Sequence, residues 1–161
     1  MAVVCLDASL VLTWLLPEEF SPKAFALRAL WDEQVTQLIA PPLLRIEVAS
    51  GLRQAVHRGR LDLKEGDEAF QTFLEMKIHI REPEPLLTQA WNLGKSVTAP
   101  RLYDMFYVAL ADLERCELWT ADRRLVNLVK DRWPLARWLG DFSTQAETAR
   151  TSEQHMGGHA T

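Results

Sequence analysis

The stretch Val3-Val4-Cys5-Leu6-Asp7-Ala8-Ser9 decides the fold. Four apolar residues in a row, led by two β-branched valines and stopped by a carboxylate, predict a strand buried on both faces, as in a parallel sheet. Asp7 then stands at the carboxyl end of that strand. In open α/β sheets ligands gather outside this end, because loops diverge there and helix N-termini point at the bound group. The pattern returns in Leu118-Trp119-Thr120-Ala121-Asp122, a second short apolar run ending in Asp just ahead of a helical pattern. Two strands thus deliver two carboxylates to one rim. Asp is also a favoured helix N-cap, so either residue alone reads equally as a cap. The pair favours a functional rim.

Working outward, Ser9 to Leu16 predicts a short buried helix, capped by Ser9 and stopped by Pro17. Ser21-Pro22 starts a second helix to about Asp32, with Ser21 as cap and Phe25, Ala26, Ala29 and Leu30 on its buried face. Leu38-Ile39-Ala40 is a short strand ended by Pro41-Pro42. Leu44, Val48, Leu52, Ala55 and Val56 mark one face of a helix from Leu43 to about His57, closed by the Gly59 turn. Glu47 lies at the edge of that face, near the small residues Ser50 and Gly51, which let another group approach closely. Its plainest role is a boundary glutamate pairing with Arg45 or Arg53 or with water.

Asp62 or Lys64 opens an amphipathic helix to about Met76, through Ala69, Phe70, Phe73 and Leu74. Ile78-His79-Ile80 alternates like an outer strand, and Pro83 and Pro85 lead into a helix carrying Leu86, Leu87, Ala90, Trp91 and Leu93. Gly94-Lys95-Ser96 is no phosphate-binding loop, because Gln89 stands where its first glycine belongs. Tyr103 to Cys116 is apolar on nearly every side and predicts a buried helix, so Asp104 at its start is expected to enter an enclosed place or to act as a cap. Arg123 to Lys130 is a short helix, and Leu135 to Leu139 a last strand. From Ser143 the chain is polar and small without apolar period, which predicts a disordered tail over 143–161 after a domain spanning 1–142. His155 and His159 lie in that tail and carry no metal-site prediction.

A chain of 161 residues with 48% hydrophobic and 25% charged residues is long enough for one domain with a real core. A net charge of −4 argues against a protein that grips nucleic acid by a general positive field, though not against one that works through metal ions. Cys5 and Cys116 form no C-x-x-C pair and point to a reducing, cytoplasmic setting. No apolar run approaches the ~18 residues of a membrane span.

Strands alternating with helices predict a parallel sheet covered on both faces. The acids it brings to strand ends or a helix entrance are Asp7, Asp104 and Asp122, with Glu47 flanking a helix. Carboxylates that share a pocket either hold protons or are neutralised by a cation. Oxygen ligands without Cys or His clusters point to Mg²⁺ or Mn²⁺, and such a site suits phosphoryl chemistry.

Leu6-Asp7-Ala8-Ser9, Glu47-Val48-Ala49-Ser50, Tyr103-Asp104-Met105-Phe106-Tyr107-Val108-Ala109-Leu110-Ala111 and Thr120-Ala121-Asp122-Arg123-Arg124-Leu125 resemble, in order and spacing, the motifs of the PIN domain, most closely of VapC-type toxin ribonucleases. The resemblance runs from Met1 to about Phe142. It implies a three-layer α/β/α sandwich on a short, mostly parallel sheet, with Asp7, Glu47, Asp104 and Asp122 holding Mg²⁺ or Mn²⁺. Ser9 and Thr120 would support the site by hydrogen bonds. The implied activity is metal-dependent endoribonuclease cleavage of RNA, with a cognate antitoxin and a homodimer as the implied assemblies. Alternatives are a non-catalytic PIN-like module binding RNA or protein, or a PIN nuclease of RNA processing that is not a toxin. Met105 departs from the small residue common after the third acid and is expected to narrow the pocket. Since the net charge is negative, RNA must be held locally, first by Arg123 and Arg124 beside Asp122, with Arg58, Arg60 and Arg101 as further candidates.

Overall fold

Five strands build one sheet in the computed structural model, which describes residues 1–144 together with 147 and 148. They are β1 (Val3–Leu6), β2 (Gln37–Ala40), β3 (Ile78–Ile80), β4 (Glu117–Thr120) and β5 (Ala136–Trp138), ordered β3-β2-β1-β4-β5. All four pairings are parallel, so the sheet is wholly parallel among the described residues. The helices are α1 (Ala8–Leu15), α2 (Ser21–Glu33), α3 (Leu43–His57), α4 (Leu63–Glu75), α5 (Leu86–Ser96), α6 (Tyr103–Glu114) and α7 (Arg123–Val129). Right-handed crossovers place α1 to α4 on one face and α5 to α7 on the other, giving the three-layer sandwich. Cys5, Leu6, Ile39 and Leu118 are fully buried between the layers. Ile78-His79-Ile80 is the edge strand, as its polar middle residue predicts.

The order of strands matters for function. The connection from β1 leads to β2 on one side, whereas that from β4 leads to β5 on the other. Chain paths therefore part at the carboxyl ends of two adjacent central strands, the place where such sheets bind ligands. Because Leu6 pairs with Trp119, the next residues, Asp7 and Thr120, come side by side.

Helix starts differ from the sequence expectation in instructive ways. Asp7, not Ser9, is the N-cap of α1, its carboxylate accepting from the Leu10 N–H at 3.0 Å. Phe20 stands at the cap of α2 without a side-chain bond, and Ser21 turns its hydroxyl inward to the carbonyls of Thr13 (2.8 Å) and Leu16 (3.1 Å). The buried face of α2 is Ala24, Leu27 and Trp31, while Phe25 is 55% exposed. Trp31 sets that face, for its ring meets Trp14 and Trp119 edge to face at 6.4 and 5.8 Å. In α4, opened by an Asp62–Glu65 capping box, Phe73 is buried but Phe70 and Leu74 are exposed. Gly51 does admit a close neighbour: an added Cβ there would come within 2.7 Å of the Leu12 side chain of α1. Its small size serves helix packing.

Of the predicted tail, Thr144 donates its N–H to Glu147 at 3.0 Å. Residues 145, 146 and 149–161, with His155 and His159, lie outside the described residues.

Candidate active site

Asp7 continues the β1 ladder, donating its N–H to the Trp119 carbonyl at 3.3 Å, and is only 4% exposed. Besides Leu10 N–H it accepts from Ser9 Oγ (2.8 and 2.9 Å) and from Thr120 Oγ1 at 2.6 Å. Burial nevertheless pushes its pKa up to about 6, against those three hydrogen bonds and with help from the charge of Asp104. Thr120 is fully buried and also accepts the Asp122 N–H at 2.9 Å, so one hydroxyl ties both strand-end acids together. Ser9 and Thr120 thus both bond to the Asp7 carboxylate.

Asp104 is the second residue of α6 and is not its cap, which is Leu102. The body of α6 is buried as expected, but Asp104 itself is exposed and not enclosed. Although its tip reaches water, the flank it lies on is partly desolvated, and that and Asp122 raise its pKa, with Arg124 opposing. Met105 is buried on another side, where a Cβ on Gly94 of α5 would meet its Cγ at 3.8 Å. There it packs against α5.

Glu47 has no ion pair with Arg45 or Arg53, nor any other among the described residues. Its Oε1 is buried without a hydrogen-bond partner, and so is the Tyr107 hydroxyl. Burial, then Asp104 and Asp7, lift the Glu47 pKa to about 7, while the adjacent Tyr107 hydroxyl favours the ionised form. The two side chains are thus neighbours, but no bond of normal geometry joins them. Tyr107, one helical turn beyond Asp104, is a site residue that sequence reasoning missed, because it reads as one more apolar position of a buried helix.

Asp122 caps α7, accepting from Arg124 N–H at 2.9 Å and pairing with Arg124 Nε at 3.4 Å. The capping alternative is therefore realised in geometry for Asp7 and Asp122 alike. Arg124 is 94% exposed, and the Arg123 guanidinium stacks 4.9 Å from the centre of the Trp138 ring. Charges of Asp7, Glu47 and Asp104 act on one another, and Asp122 joins through Asp104. Among the described residues, however, no three His, Cys, Asp or Glu side chains converge as a ready-made metal cage. The donor set still fits a hard divalent cation: all oxygen, mutually repelling, with one buried carboxylate oxygen left without a partner.

Residues 4–130 match the family model of the PIN domain. This chain belongs to the PIN domain family. Over 110 residues it is 37% identical to the VapC ribonuclease Mb0985 of Mycobacterium bovis and to ribonuclease VapC9 of Mycobacterium tuberculosis, covering 65% of this chain and 84% of either relative. Solved structures share the fold. PAE2754 from Pyrobaculum aerophilum superposes with a TM-score of 0.60 at 19% identity, covering 96% of this chain and all of that one. VapBC2 from Rickettsia felis, bound to a promoter DNA fragment, gives 0.62 at 11% identity over 84% of this chain and 96% of that one. At these identities the structures speak for the shared fold alone. No described helix of this PIN protein is long and apolar enough to cross a membrane.

Proposed function

We propose that this PIN protein is a metal-dependent endoribonuclease, the toxin of a toxin–antitoxin pair, with Asp7, Glu47, Asp104 and Asp122 holding Mg²⁺ or Mn²⁺. The observation that carries the reading is electrostatic: at the divergence of β1 and β4, burial first and then like charge raise the carboxyl pKa values, Asp104 acting on Asp7, Asp104 and Asp7 on Glu47, and Asp122 on Asp104. Such crowding costs stability unless a cation offsets it. A bound divalent ion would orient water, lower its pKa and offset charge gathering on the phosphate. Ser9, Thr120 and the Leu10 N–H fix the orientation of Asp7, so little reorganisation is needed there. Curated relatives named as VapC ribonucleases support RNA as substrate, and the resemblance to VapC-type toxins implies a cognate antitoxin chain. A homodimer remains part of the proposal. The capping geometry of Asp7 and Asp122 favours a second reading, a non-catalytic PIN-like binding module. Incubating purified chain with single-stranded RNA separates them: cleavage that requires Mg²⁺ or Mn²⁺ and stops with a chelator supports the nuclease, and intact RNA at every metal concentration supports the module.

Arg123 and Arg124 are the proposed phosphate contacts. Changing both to Ala is expected to weaken RNA binding uniformly across sequences and to flatten the slope of log affinity against log salt by about 1 to 2. Fluorescence anisotropy across a salt series checks this. Equal slopes for variant and parent would leave both arginines to their partners Trp138 and Asp122.

A further inference from the structure

We propose that a cavity beside the acid rim is a nucleobase subsite that selects guanine next to the bond being cut, an inference that rests on the ribonuclease reading above. The cavity, about 370 Å³, opens between the α1–α2 loop and the end of β4. Ser9, Leu12 and Thr13 of α1, Glu18, Glu19 and Phe20 of the loop, and Ala121 line it. Ser9 connects it to the acids, since its Oγ donates to Asp7 at 2.8 Å and accepts the Ala121 N–H at 3.0 Å. The side chain of Ser9 thus borders both the cavity and the Asp7 carboxylate.

The aromatic wall is preset. Phe20 meets the Trp138 ring edge to face at 5.5 Å, and Trp138 is pinned by its indole N–H to the Ala121 carbonyl at 3.3 Å. Bases of single-stranded RNA are recognised by stacking on such rings and by hydrogen bonds to their Watson–Crick edges. The polar groups of the cavity decide which edge fits. Ser9 and the Ala121 N–H are committed to each other and to Asp7, and the Thr13 hydroxyl donates to the Leu10 carbonyl at 2.5 Å. Glu18 pairs with Arg60 at 3.2 Å. The Glu19 carboxylate is exposed and has no hydrogen-bond or ion-pair partner among the described residues. Among the lining side chains the free capacity is thus acceptor only, both oxygens of Glu19 and the second oxygen of Glu18.

Guanine matches that capacity. Its N1–H and N2–H₂ lie side by side and can donate in parallel to both oxygens of one carboxylate. Adenine and cytosine offer a single amino group on that edge, and uracil a single imide N–H. The carboxylate also repels phosphate, so the cavity suits the base and not the backbone.

An NMR titration of the metal-free full chain with guanosine, inosine and adenosine, following the Trp138 indole N–H, tests the subsite. Guanosine is expected to shift that resonance and to bind at least fivefold tighter than inosine, which lacks the 2-amino group, or adenosine. Glu19→Gln, a surface change, should bring guanosine and inosine within about twofold, and Phe20→Ala should weaken all three. Equal affinities in the parent, an unmoved Trp138 signal, or a guanosine preference that survives Glu19→Gln would overturn the proposal. Mn²⁺ broadening on the same samples keeps the two readings apart. Guanosine selection without broadening near Asp7 and Asp104 would uphold the subsite and count against the nuclease.

Discussion

Asp122→Asn keeps its fold and cleaves RNA at least about a hundredfold more slowly than the parent, an expected loss near 3 kcal/mol of transition-state stabilisation. Asp122 performs one task visibly, capping α7 through a side-chain oxygen at 2.9 Å from the Arg124 N–H. Asn caps a helix about as well as Asp, so a cap alone predicts an almost silent substitution. Its ion pair with Arg124 adds little, because that arginine is 94% exposed. Removing the negative charge matters only if a hard cation depends on it. Urea unfolding together with initial rates across a Mg²⁺ titration separates the two cases. A folded variant cleaving at the parental rate would return Asp122 to capping and weaken the nuclease assignment.

A second large effect is expected in the metal-free protein: its stability falls as pH rises from about 4 to about 7. Asp7 has a folded pKa of about 6 against an ordinary 3.8, and Glu47 about 7 against 4.5. A raised carboxyl pKa means that the folded state binds the proton more tightly, so the contribution is whole below the unfolded value and lost as pH passes the folded one. For Asp7 the shift corresponds to about 3 kcal/mol. Glu47, half open to water, adds a smaller, screened share. Asp7→Asn should therefore be more stable than the metal-free parent at pH 8, with the advantage gone at pH 4. Thermal melts in chelator at the two pH values check it, and parallel melting curves for parent and variant at both would show that Asp7 carries no such strain.

The reading of the fold from the chain succeeded where periodicity is strong. Val3 to Leu6 and Leu118 to Thr120 are strands because unbroken apolar runs suit a sheet covered on both faces, and His79 between two isoleucines marks the edge. It failed where side chains choose among near-equal local partners. Ser9 and Ser21 look like caps, yet Asp7 takes the first cap and Ser21 bonds to carbonyls ahead of it. The buried face of α2 is set by a Trp31 contact with Trp119, a residue far along the chain that local spacing cannot register.

Among the candidate site residues, Asp7 and Asp122 were legible from position at strand ends, and Asp104 from its place at a helix start. The burial of Glu47 was not. On the sequence it reads as a boundary glutamate with arginines on either side, and only the approach of α6 leaves its Oε1 without a partner. The Tyr107 hydroxyl beside it was hidden among the apolar residues of α6, and the Arg123 stack on Trp138 joins two elements that sequence spacing does not relate.

The central claim is that the acids form one cation site, and direct binding of Mn²⁺ to the full chain tests it best. Calorimetric titration of the parent against Asp7→Asn/Asp104→Asn, with melting temperature followed on the same samples, measures both affinity and linkage. The parent is predicted to bind Mn²⁺ and to melt higher as free metal exceeds its dissociation constant, by about 2.7 kcal/mol of added stability at a hundredfold excess. The double variant is predicted to lose both responses while staying folded. An unchanged Mn²⁺ affinity and an unchanged melting shift in the double variant would put the ion elsewhere and contradict the account.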